Sequence, residues 1–214
     1  MDLRQPAARR RFYLERGLRK STRGSGSDLV GLMGHPRRVL PIDLSDLLPN
    51  IPAVAVGAIA ARAYAPERVT GDIDVLVEHD LFTDAQAALY RQGWHTTAKL
   101  LFPNSSLGLY GEAFIKDDQR FDLLASDQPW ATEALEAPAR DQTGFPVVAL
   151  PYLVLMKIDS ARGIDQGDLS RMLGRLSEAQ VEEIARIVDR HSGDPQAAED
   201  VRQYARLGKL EWEG

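Results

Sequence analysis

Two aspartates two residues apart, Asp72 and Asp74, stand in the otherwise apolar run DIDVLV. Strand side chains alternate between faces, so a strand over Asp72–Val77 puts Asp72, Asp74 and Leu76 on one side. Two carboxylates on one face repel unless a cation lies between them. A third carboxylate, Asp122 in RFDLL, falls mid-strand between Phe121 and Leu123, where charges seldom sit without a partner. If its strand neighbours DIDVLV, the three carboxylates converge at one edge of a sheet. Hard divalent cations, Mg2+ above all, favour such oxygen ligands and keep other positions for water and phosphate.

The surrounding pattern alternates in type. AVAVG (53–57) reads as a buried strand and AIAARAY (58–64) as a helix. Phe82–Gln92 reads as a helix stopped by Gly93. Strands follow over Trp94–Phe102, Leu109–Lys116 and Arg120–Leu124, the last two joined by a hairpin turn at Asp117–Asp118–Gln119. From Pro129 onward helices dominate, apart from a short strand at Val147–Leu150. They cover Tyr152–Arg162, Leu169–Leu176, Glu178–His191 and Pro195–Leu207, with Ser177 and Gln180 as a capping box. Ahead of these lie a basic helix over 6–20, the linker STRGSGS and a short helix in IDLSDLLPN. The expected fold is α/β (α+β), with a mixed sheet flanked by helices and an all-helical C-terminal half. Three parts follow: a basic arm and linker over 1–38, the core over 39–150 and a helical region over 151–214.

Charge is unevenly spread. Residues 1–38 hold ten Lys/Arg against Asp2, Glu15 and Asp28, a net +7, while the remaining residues carry −12 of the total of −5. A basic arm on an acidic body suits a polyanion such as RNA, and equally a solvated helix. The absence of Cys excludes disulfides, thiolate zinc sites and cysteine catalysis. The longest apolar runs, Ile51–Ala61 and Val147–Met156, are too short to span a bilayer, and the N-terminus lacks the apolar stretch of a secretory signal. The expected location is the cytoplasm, without a membrane partner. His35, His79, His95 and His191 show no metal spacing, and neither a Ser/His/Asp order nor a phosphate-binding Walker loop is present.

Gly57–Ala58, thirteen further residues, Asp72–Ile73–Asp74 and then Phe121–Asp122–Leu123 resemble the nucleotidyltransferase (polymerase β-like) superfamily over about 57–124. A second block, LPYLVLMKIDSARGIDQGDLSRML (150–173), resembles the Lys, Arg and Asp motif of its minimal, AbiEii-like branch. The resemblance implies Mg2+-dependent transfer of a nucleoside monophosphate from a nucleoside triphosphate to an acceptor hydroxyl. It implies that Asp72, Asp74 and Asp122 are catalytic and hold two metal ions. Gly57, Ala58, Arg68, Thr70 and Lys157 would meet the nucleotide, with Asp165 and Asp168 as acidic support. The acceptor expected from the branch is RNA such as tRNA, for the toxin of a toxin–antitoxin pair with a protein antitoxin. Two alternatives stay open: a catalytically silent module of the same fold that binds RNA or protein, and a small-molecule (antibiotic) nucleotidyltransferase.

One residue departs from the motif. Ala58 stands where the family has Gly or Ser, so the backbone N–H is kept and a hydroxyl is lost. The other candidates also have plain structural readings. Arg68 and Thr70 suit a surface turn, and Lys157 in LVLMKID suits a stem packed on apolar neighbours with its head in solvent. Asp165 and Asp168 suit the start of a helix.

Overall fold

The computed structural model describes residues 5–20, 43–65 and 72–212, which divide into two units. One gathers the described residues within Leu32–Pro103 and Gly108–Ala149, the other those within Met1–Gly31, Asn104–Leu107 and Leu150–Gly214. The first holds a seven-stranded mixed sheet and the second is helical. No helix among the described residues is long and apolar enough to cross a membrane.

In chain order the sheet unit runs α2 (Leu44–Leu47), β1 (Ala53–Ala55), α3 (Gly57–Tyr64), β2 (Asp72–Glu78), α4 (Phe82–Arg91), β3 (His95–Leu101), β4 (Tyr110–Lys116) and β5 (Gln119–Ser126). It closes with α5 (Pro129–Glu136), β6 (Ala139–Arg140) and β7 (Pro146–Val147). The strand order is β3-β4-β5-β2-β1-β7-β6. β2 and β5 pair in parallel, while β1–β2, β3–β4 and β4–β5 are antiparallel. The hairpin between β4 and β5 turns on Asp117 and Asp118, whose φ values of 47° and 62° give the two left-handed positions of a type I′ turn. On one face Ile73, Val75, Val77, Phe114, Phe121 and Leu123 join Leu44 and Leu47 of α2 and Ala85, Ala88 and Leu89 of α4 in a buried core. Alternation therefore puts Asp72, Asp74, Arg120 and Asp122 on the opposite face.

The helical unit comprises α1 (Pro6–Lys20), α6 (Leu150–Ser160), α7 (Gly163–Leu173), α8 (Glu178–His191) and α9 (Ala197–Trp212). Helices α7 and α9 pass so close that a Cβ on Gly208 would lie 1.9 Å from the Ser170 carbonyl oxygen. The capping box of Ser177 and Gln180 opens α8 as expected.

Several elements differ from the sequence reading, among them the unexpected β6 and the end of α9 at Trp212 rather than Leu207. Gly57, read as the end of a strand, opens α3 at φ +60°. The strand expected over Val147–Leu150 shortens to Pro146–Val147, because Leu150 already begins α6 with Pro151 in its first turn, where a missing N–H leaves no bond unmade. Helix α7 starts six residues before Leu169 because its first turns are polar and show no apolar period.

The expected basic arm is not set apart where it is described. α1 packs with α6, α7 and α9 in the helical unit. Arg10 is 1% exposed, donating from Nε to Asp200 at 2.6 Å, from Nη1 to the Ile158 carbonyl at 2.6 Å, and from Nη2 to Asp194. Arg9 donates to the carbonyls of Ser160 and Ala161, and Arg11 to Asp194. Three of the arginines counted towards an anion-binding arm thus hold the helical unit together.

Candidate active site

The parallel register of β2 and β5 sets two of the predicted carboxylates side by side and the third on the same face. Asp74 is the direct partner of Asp122, and Asp72 is the partner of Arg120. All four lie on the face opposite the core, and Asp72 and Arg120 are exposed while Asp74 and Asp122 are half-buried. Continuing across the sheet, Asp122 is beside Ala113 of β4, and Arg120 is beside Ile115.

The chain returns to this point from β1. The Val56 N–H donates to the Asp74 carbonyl at 2.9 Å, which fixes the residue before α3 against β2. Gly57 then turns the backbone into α3 so tightly that a Cβ on it would sit 2.0 Å from Asp74 Oδ2. The Asp74 carboxylate therefore lies against the first residue of the helix. Val56, the N-cap, supplies no side-chain hydrogen bond there, so the helix start is not closed by its own cap. Ala58 is buried, and its side chain brings no polar group to this end.

Burial raises the Asp122 carboxyl above its ordinary range, the Asp72 charge raises it further, and Arg120 opposes both. Beside these residues an open cleft of about 380 Å³ is lined by Asp72, Asp122, Arg120, Thr97, Ala113, Phe114 and Ile115. Among the described residues no group of three or more His, Asp or Glu side chains is gathered closely enough to cage a metal ion. The donor set still suits Mg2+, which is commonly bound by one or two carboxylates together with substrate phosphates. Burial first and the Asp72 charge second disfavour an ionised Asp122, and a cation there would offset the second of these.

Lys157, Asp165 and Asp168 belong to the helical unit and meet one another. Lys157 is 4% exposed, and its Nζ donates to Asp165 at 2.8 Å and to Asp168 at 2.7 Å. The head group does not reach solvent. The lysine implied to grip phosphate is bound by the two acidic residues implied to support it. Burial alone would raise Asp165, but Lys157 and Arg162 overcome it and hold the carboxyl at about 2. Ser160 Oγ also donates to Asp165. Arg68 and Thr70 lie outside the described residues.

Arg120 and Thr97 are cleft residues that the sequence reading did not single out. Arg120 was legible, since it stands two residues before Asp122 on the same strand and must share its face. Thr97 was not, because a register shift between Thr96 and Ala98 sets where it points.

No protein-family model and no curated protein matches the chain. Among solved structures, similarity is found to the crystal structure of ANT(2")-Ia in complex with adenylyl-2"-tobramycin, at 17% sequence identity and a TM-score of 0.36, covering 75% of this chain and 88% of that one.

Proposed function

We propose that this chain is a nucleotidyltransferase that moves a nucleoside monophosphate from a nucleoside triphosphate to an acceptor hydroxyl. The observation that carries the reading is the register of Asp74 beside Asp122, with Asp72 on the same face and Gly57 against the Asp74 carboxylate. Asp72 and Asp74 would hold Mg2+, which supplies charge neutralisation to the triphosphate when bound. The backbone N–H groups at the start of α3, Gly57 and Ala58 among them, face the phosphates. Asp122, beside Asp74 in the strand register, takes the proton of the acceptor hydroxyl. The acceptor oxygen bonds to the α-phosphorus, the bond to the bridging oxygen breaks, and pyrophosphate leaves. The sheet supplies positioning, since its carboxylates are fixed by strand register rather than by loops.

Lys157, Asp165 and Asp168 are read as an internal brace between α6 and α7 rather than as nucleotide ligands. The RNA acceptor is the one that the resemblance implies. An antitoxin partner and a place in a toxin–antitoxin pair rest on the resemblance of 150–173 alone.

The test is incubation of the full chain with Mg2+ and each α-labelled nucleoside triphosphate, with total RNA, an aminoglycoside or no added acceptor. Mg2+-dependent label on RNA or on the aminoglycoside supports the transferase reading, and removal of Mg2+ by EDTA should abolish it. Nucleotide binding without transfer to anything would overturn it in favour of a silent module of the same fold.

A further inference from the structure

We propose that the outer edge of β3 pairs with the same edge of a second copy of this chain, antiparallel about Leu100, so that two sheets join across a two-fold axis. The proposal goes beyond the nucleotidyl-transfer reading and does not depend on it.

β3 stands at one end of the strand order, and among the described residues no strand lies on its outer side. Such an edge offers a row of backbone N–H and C=O groups to another strand, and proteins that avoid pairing shorten the edge or fill it with charge. β6, at the opposite end, is cut to two residues. β3 runs for seven and leads into the apolar end KLLF, with Leu101 75% and Phe102 39% exposed. The register shift at Thr97 interrupts its first half, which leaves residues 98–102 as the regular stretch. β3 carries Lys99 and no acidic residue, so none of the negative charge that gives the chain its net −5 lies on this strand to hold two copies apart.

The stretch is complementary to itself. A two-fold axis perpendicular to the sheet keeps each face on its own side, so residues that face each other must share a face. With the axis at Leu100, Leu100 faces its own copy, Lys99 faces Leu101 and Ala98 faces Phe102. Lys99 and Leu101 do share a face, the one that carries α4, because their β4 partners Glu112 and Tyr110 touch Gln86 and Phe82. Each exposed Leu101 is then covered by the stem of a Lys99, whose head stays in solvent and beside Glu112 of its own sheet. Other centres are worse. An axis at Lys99 sets two lysines face to face, one at Ala98 draws the irregular Thr97 into the ladder, and one at Leu101 places Pro103, which has no N–H, opposite Lys99. The pairing also brings Phe102 of the second copy beside Ala98, whose β4 partner Ala113 lines the cleft, so the second copy borders the cleft on its β3 side.

The experiment is sedimentation equilibrium of the full chain from about 5 to about 500 µM, with melting curves on every variant. So short a strand pairing is a small interface, and the wild type should form a reversible dimer with a Kd on the order of 10–100 µM. Leu101→Lys sets like charges face to face at both ends of the pairing and should weaken the dimer at least about tenfold. Leu101→Glu removes the same apolar contact but meets Lys99 with the opposite charge, and should dimerise at least about tenfold more tightly than Leu101→Lys. Because the chain has no Cys, Leu100→Cys reports the register directly. Facing Cα atoms about 4.5–5.5 Å apart suit a disulfide, so mild oxidation should link Leu100→Cys into a dimer and leave His95→Cys, far from its own copy, unlinked. Should Leu101→Lys not melt cooperatively, the two cysteine variants decide instead. A wild type that stays monomeric throughout would overturn the proposal and leave the edge to a strand of another protein. Equal dimerisation of Leu101→Lys, Leu101→Glu and wild type would also overturn it, as would linkage of His95→Cys in preference to Leu100→Cys. None of these readouts depends on nucleotidyl transfer.

Discussion

Asp74 Oδ2 occupies the space that a Cβ on Gly57 would need, with only 2.0 Å between the two positions. The helix start and the strand carboxylate are thereby locked to each other, one 17 residues ahead of the other in the chain. Gly57→Ala adds both the clash and the strain of a left-handed backbone at φ +60°, which alone costs roughly 1–2 kcal/mol. Because the clash needs both groups, Gly57→Ala and Asp74→Ala should be non-additive. The double variant should be more stable than the sum of the two losses implies. Additive losses in a urea-unfolding cycle would mean that the two residues do not press on each other.

Burial raises the Asp122 carboxyl most, and Asp72→Asn removes the charge that raises it further. The Asp122 carboxyl should then titrate lower, as followed by carboxyl carbon NMR. A carboxyl with a raised folded pKa contributes stability that is present below its unfolded pKa and lost as pH rises through the folded one. Relief of that loss should make Asp72→Asn at least as stable as wild type at neutral pH. An unchanged Asp122 titration would show that the two carboxylates do not feel each other.

Lys157→Met leaves Asp165 and Asp168 buried without their cation. Breaking a buried pair in this way typically costs about 3–5 kcal/mol, so a large drop in melting temperature is expected. Asp165 sits at about 2, below its ordinary value of about 3.9. Its stabilising contribution is therefore full above the ordinary value and fades as pH falls towards 2. Acid unfolding of Lys157→Met should accordingly begin at higher pH. A variant that melts like wild type but no longer binds nucleotide would return Lys157 to the phosphate-binding role.

Arg10→Met tests whether α1 is part of the fold or an attached arm. Arg10 is buried against Asp194, Asp200 and the Ile158 carbonyl, so its loss should destabilise the protein by about 3–5 kcal/mol. Arg19 on the same helix pairs with Glu15 while 80% exposed, and Arg19→Ala should change stability by no more than about 1 kcal/mol. Deletion of residues 1–27 should then disrupt cooperative unfolding rather than merely weaken RNA binding. Equal, small effects of the two arginine substitutions on the melt would contradict the packing role.

Much of the sheet unit was legible because its signals are local. The alternation in DIDVLV and RFDLL placed three aspartates on one face, and two acidic turn residues announced the β4–β5 hairpin. What escaped depends on contacts distant in sequence. Nothing in RRRFY says that Arg10 will meet Asp200, 190 positions away. The partners of Lys157 are near in sequence, but only the packing of α6 on α7 turns them inward. Two-residue strands such as Ala139–Arg140 carry too few residues to alternate. A register shift such as the one beside Thr97 leaves no compositional trace.

The central claim is that the Asp72, Asp74 and Asp122 face transfers a nucleoside monophosphate. It is tested most directly by measuring transfer of α-labelled nucleotide to RNA in Mg2+ by the wild type and by Asp74→Asn, with melting curves confirming that both are folded. The account predicts labelled RNA with the wild type and a loss of at least about a hundredfold in the variant. Transfer by Asp74→Asn within threefold of wild type would contradict it.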